Sequence, residues 1–71
     1  MIRISTSKIG DIVQEADGLV IDGVQYTLNS GPQGIAAVFS TDAGDEEVAM
    51  ASLKKHLKAK FPVLILYVEL V

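Results

Sequence analysis

Val63-Leu64-Ile65-Leu66-Tyr67-Val68-Glu69-Leu70-Val71 carries a single charge, and the run before it, Asp45 to Pro62, places apolar residues at three- and four-residue steps. These two neighbouring patterns set the fold class. In the first run, Ala49, Met50, Leu53, Leu57 and Phe61 fall on one stripe at about 100° per residue, and Lys54, Lys55 and Lys58 lie away from it. The spacing predicts one long helix over about 43–60. Asp42 is the expected N-cap, because its carboxylate can accept from the free amides of the first turn. Gly44 then falls in that turn, at a small cost in helix propensity. Asp45, Glu46 and Glu47 suit the positive helix end, and Lys54, Lys55, Lys58 and Lys60 lie towards the negative one. Pro62 stops the helix and steers Phe61 towards an extended shape.

The second run has no polar face, so it reads as a strand over 63–71, buried on both sides in the middle of a sheet. Leu64, Leu66, Val68 and Leu70 share one face; Val63, Ile65, Tyr67, Glu69 and Val71 share the other. The run is much shorter than the about 20 apolar residues that cross a bilayer as a helix.

Further out, Ile2 and Ile4 alternate with Arg3 and Ser5, which predicts a short opening strand. Residues 7–16 fit two patterns. Ile9, Ile12, Val13 and Ala16 match a helical stripe, with Ser7 to cap it and Gly18 to close it. Gly10 and three β-branched residues weaken that helix, so we read a strand from about Asp11 to Glu15 and keep the helix as the alternative. Leu19-Val20-Ile21, Asp22-Gly23 and Val24 to Leu28 form a hairpin signal, since Asp-Gly suits a two-residue type I′ turn. Asn29 to Gly34 is a loop by composition. Ile35 to Phe39 is a strand with Ile35, Ala37 and Phe39 on one side. The expected fold is α+β in two layers. A four- to five-stranded, mostly antiparallel sheet carries the long helix on one face and the C-terminal strand at its centre. If 7–16 is helical, the order becomes a split-βαβ, β-α-β-β-α-β.

Composition narrows the function. Seventy-one residues make one domain, 1–71, with a modest core. There are no cysteines, so disulfides and thiolate metal sites are excluded. No basic-then-apolar leader opens the chain, and a cytoplasmic setting is the expectation. The net charge of −3 argues against general affinity for nucleic acid. The charge is uneven: residues 1–47 hold Arg3 and Lys8 against eight acids, whereas residues 48–71 hold four lysines against Glu69.

Four groups could carry chemistry, and each has a plainer explanation. His56 is the only histidine, and a base needs a partner within hydrogen-bond reach. Asp42, Asp45, Glu46 and Glu47 lack the ligand rhythm of a calcium loop. Asn29, Ser30, Gly31, Gln33 and Gly34 could form a small-ligand loop. They precede a strand, however, whereas phosphate loops precede a helix. Lys54, Lys55 and Lys58 could contact an anion or nucleic acid, but arginines and stacking aromatics are missing nearby. The sequence therefore predicts a non-catalytic interaction or structural module without metal or cofactor. One helix covers one face of a sheet, so Val63, Ile65 and Tyr67 are left facing outwards. The expectation is a homodimer or higher oligomer formed through them.

Overall fold

The computed structural model describes residues 1–71. The chain runs β1 (Ile2–Ser5), α1 (Ile9–Ala16), β2 (Val20–Ile21), β3 (Val24–Gln33), β4 (Ala36–Thr41), α2 (Glu46–Lys60) and β5 (Tyr67–Leu70). The class is α+β. All five strands form one curled antiparallel sheet in the order β2-β3-β4-β1-β5. Without β2, the order of elements is the β-α-β-β-α-β expected if residues 7–16 are helical.

Register decides which residues meet. Ile2 lies opposite Phe39 and Leu70, and Ile4 lies opposite Ala37 and Val68. Leu28 also faces Phe39, which puts Tyr26 on the same side two residues away. From this face Ile2, Ile4, Tyr26, Ala37 and Phe39 are buried. Ile9, Ile12 and Ala16 of α1 meet them, together with Ala49, Leu53 and Leu57 of α2 and Leu66. Both helices therefore serve one core on one side of the sheet. Tyr26 ties the layers together: its hydroxyl, fully buried, donates to the Ala49 carbonyl at 2.8 Å.

Residues 9–16 form a helix, not the strand expected over 11–15. A strand would have sent Ile12 and Val13 to opposite faces. The helix instead puts Ile9, Ile12 and Ala16 into the core together and leaves Val13 half-buried. That burial outweighs the poor propensity of Gly10. Ser7 does not cap; Lys8 stands at the N-cap and offers no side-chain bond. At the other end Gly18 takes φ +83°, and its N–H donates to the Tyr26 carbonyl at 2.8 Å, which hands the chain from α1 to the sheet.

The long helix starts at Glu46, three residues later than expected, and its N-cap is Asp45, not Asp42. Asp45 Oδ1 accepts from the amides of Glu47 (3.0 Å) and Val48 (3.2 Å). Asp42 is already engaged, since its Oδ1 accepts from the Gln25 amide of β3 at 2.9 Å. Gly44 thus lies before the helix and costs it nothing.

The hairpin has the expected turn. Ile21 pairs with Val24, and Asp22 and Gly23 take φ +51° and +81°. The segment 29–34 is not a free loop: β3 continues to Gln33, with irregularities that bring Ser30 opposite Val38 and Gln33 opposite Ala36. The Gly31–Pro32 peptide bond is cis. Ile35 sits in the following turn and is exposed, so strand β4 runs over 36–41 instead of 35–39.

The largest departure concerns the C-terminal strand. It covers only 67–70 and lies at the sheet edge, beyond β1, not at the centre. Pro62 to Leu64 turn, with the Leu64 amide donating to the Phe61 carbonyl at 3.1 Å. That turn consumes the first residues of the apolar run. The central strand is β4, and β1 lies between it and β5.

Two substitutions check this architecture. Leu57 is fully buried, and Leu57→Ala should destabilise by about 2–5 kcal/mol in denaturant titration. An unchanged midpoint would place the helix face elsewhere. Gly23→Val forces a β-branched residue to φ +81° and should cost roughly 1–2 kcal/mol in thermal melts.

Candidate interaction surface

Nine large hydrophobic side chains are exposed, and five of them, Val63, Ile65, Tyr67, Leu70 and Val71, lie in the last nine residues. The three predicted interface residues are among the most open: Val63 at 90 %, Ile65 at 72 % and Tyr67 at 68 %. Within the same run Leu66 is buried, and Leu64 and Val68 are half-buried against the core. The division into two faces largely follows the alternation of the sequence, and Val63, Ile65 and Tyr67 on the second face stay open.

Tyr67 and Glu69 share the uncovered side of the sheet with Arg3 and Ser5, their neighbours on β1. Arg3 Nε donates to Glu69 Oε1 at 2.8 Å, and Nη2 bonds the same oxygen. The only charge of the apolar run is therefore neutralised across the strand pair. Both side chains are about half exposed, so the pair matters for local charge balance more than for stability.

The other candidate residues lie in separate places on the surface. Lys54 borders the β5 edge beside Leu66 to Glu69, whereas Lys55 lines a cleft on the other side of α2 with Ile21, Asp22, Ser52 and His56. Lys58 is exposed on the helix surface. The lysines thus point to different flanks, with no arginine among them. Asn29, Ser30, Gly31, Gln33 and Gly34 are exposed; Ser30 and Gln33 pair with Val38 and Ala36 of β4, and Ser30, Gly31 and Gln33 line a shallow pocket with Arg3. A Cβ at Gly31 would come within 3.0 Å of the Ala36 carbonyl oxygen, so this backbone is packed closely on β4. No three His, Asp or Glu side chains converge as metal ligands. Asp42 and Asp45 are instead occupied one by one with backbone amides.

His56 has a partner that sequence reasoning missed. Its Nε2 lies 2.8 Å from Glu15 Oε2, joining α2 to α1. Lys60 Nζ stands 3.8 Å from the other carboxylate oxygen. Glu15 is 41 residues away in the chain, and only its place on the polar flank of α1 hinted at a role. The hydrogen bond from His56 holds the Glu15 carboxyl below its ordinary range, against the opposing effect of partial burial, and the Lys60 charge assists. A dyad of this kind could orient a base. No hydrogen bond links His56 to Ser52, however, although the two line one shallow cleft. The geometry is that of an interhelical clasp.

Comparison with protein-family models, curated proteins and solved structures returns no match. No helix is long and apolar enough to cross a membrane.

The clasp has a pH signature. Because the folded-state value of Glu15 is depressed, its contribution is complete above the unfolded value of 4.5 and is lost as pH falls through the lower folded value. Glu15→Gln should lower the melting temperature at neutral pH and flatten the acid limb below about pH 4.5. Parallel acid limbs in parent and variant would remove Glu15 from the linkage.

Proposed function

We propose that this chain is a non-catalytic interaction module that self-associates through the apolar surface around Val63, Ile65 and Tyr67, in a cytoplasmic setting consistent with a chain that has no cysteine. The observation that carries this reading is the concentration of open apolar side chains on one short segment beside a sheet edge. In water such a patch is a persistent driving force for association, worth on the order of 25 cal/mol for each Å² covered. A homo-oligomer is the economical solution, because every copy brings the matching surface. The route differs from the sequence expectation: β5 lies at an edge, so the association uses an edge and its flanking side chains instead of a broad central sheet face.

Sedimentation of the full chain from micromolar to millimolar concentration tests this. The mass should rise from 7.6 kDa towards twice that value. Ile65→Asp changes a side chain that is 72 % exposed, so it should leave the fold intact and weaken association tenfold or more. A parent that stays at 7.6 kDa throughout overturns the proposal.

A further inference from the structure

We infer that two copies pair strand to strand along β5, antiparallel about a two-fold axis at Val68, so that two five-stranded sheets become one continuous sheet. This rests on the self-association proposed above and adds its surface and register.

The sheet has two edges. At one, β2 is two residues long and pairs only with Val24 and Gln25; beyond it β3 bonds Gly18 and Leu19 through Tyr26 and the Asp17 carboxylate through the Leu28 amide, and then runs into its irregular stretch. At the other, β5 has four residues and no element beyond it. Its free hydrogen-bonding groups follow from the ladder. The Thr6 amide donates to the Ile35 carbonyl at 2.9 Å, so the even residues of β1, Ile2 and Ile4, direct their backbone groups to β4. The Val71 amide donates to the Met1 carbonyl at 2.9 Å, so the odd residues Arg3 and Ser5 direct theirs to β5. On β5, Tyr67 and Glu69 therefore bond to β1. The N–H and C=O groups of Val68 and Leu70 point off the edge, where only another strand satisfies them in a row.

A second copy of β5 supplies that strand, and physical terms select the register. An antiparallel pair matches outward-pointing residues with outward-pointing ones, so a two-fold axis must pass through a residue. An axis at Glu69 sets Glu69 directly against its own copy, a like-charge pair. An axis at Tyr67 calls on Leu64, whose amide is already bonded to Phe61 in the turn. An axis at Val68 avoids both. Val68 then exchanges two bonds with its copy, and Leu70 meets Leu66 of the second copy. Tyr67 stacks beside Glu69, whose charge Arg3 has met, and exposed Ile65 comes opposite exposed Val71. A standard interface buries about 800 Å² per partner, near a fifth of this chain's 4250 Å² surface. Ladder bonds alone fall short of that, and the open side chains of Ile65, Tyr67, Leu70 and Val71 supply the apolar part.

The test is an isotope-filtered NOE experiment on the full chain, mixing labelled and unlabelled copies at a concentration where sedimentation shows association. The expected result is an intermolecular contact between the Hα atoms of Tyr67 and Glu69. Within one strand these atoms are about 7 Å apart, too far for a strong signal. Val68 and Leu70 amide exchange should slow as concentration rises. Val68→Pro removes an amide that β1 does not use, and should abolish the dimer while the β1–β5 ladder persists. A dimer that lacks the Tyr67–Glu69 contact, or that survives Val68→Pro, overturns the edge register and leaves self-association standing. A monomeric parent overturns both.

Discussion

One core is all that a chain of 71 residues builds here, and the rest of the structure follows from that limit. Twelve side chains, from three strands, two helices and the connection before β5, meet on a single face of the sheet. Both helices are committed to that face, so nothing remains to cover the other or to close the β5 edge. Tyr26 is the pivot of the arrangement. It is the largest of the fully buried side chains, and its hydroxyl finds the Ala49 carbonyl, so a polar atom is buried without being left unpaired. Burial raises the Tyr26 pKa, with the Asp22 and Asp42 charges adding to the effect. The phenol therefore stays a neutral donor to α2.

Around this core the polar contacts fix positions that hydrophobic burial alone leaves loose. Asp17 accepts from the Leu28 amide at 2.9 Å, Asp42 from Gln25 at 2.9 Å, and Asp45 caps α2. Each carboxylate satisfies a backbone group at a point where one element passes to the next. The Glu15–His56 clasp joins the two helices side chain to side chain. These acids account for much of the negative half of the chain. Their structural employment explains why a cluster that looks like a cation site along the sequence is dispersed in space.

The functional reading turns on where the limit bites. A small sheet with helices on one side has an exposed face as a matter of geometry, and most of that face here is mixed or polar, as in Gln25, Thr27 and the Arg3–Glu69 pair. The apolar surplus is instead gathered at one edge, on the segment after α2. Natural edges are commonly shortened or charged, and β2 is short. By contrast β5 has no strand beyond it, and its one charge, Glu69, is met by Arg3 across the strand pair.

Sequence alone determined what local physics controls. The periodicity of Ala49, Leu53 and Leu57 specified α2 and its buried stripe. The Asp22-Gly23 pair specified the positive-φ turn, and Pro62 ended the helix, because each acts through neighbours a few residues away. Val63, Ile65 and Tyr67 are exposed, but Val63 and Ile65 lie in the connection before β5 and not in a strand. Tertiary structure decided the rest. Whether 9–16 coils or extends depended on whether a core was present to receive Ile9, Ile12 and Ala16 together. Asp42 lost the cap to Asp45 because Gln25, seventeen residues back, claimed its carboxylate. Glu15 found His56 only when two helices packed. Above all, an apolar strand reads the same at a sheet's centre as at its edge. Its place was settled by pairing across the sheet: β1 bonds β4 with one set of alternate residues and β5 with the other, and β5 has no strand beyond it.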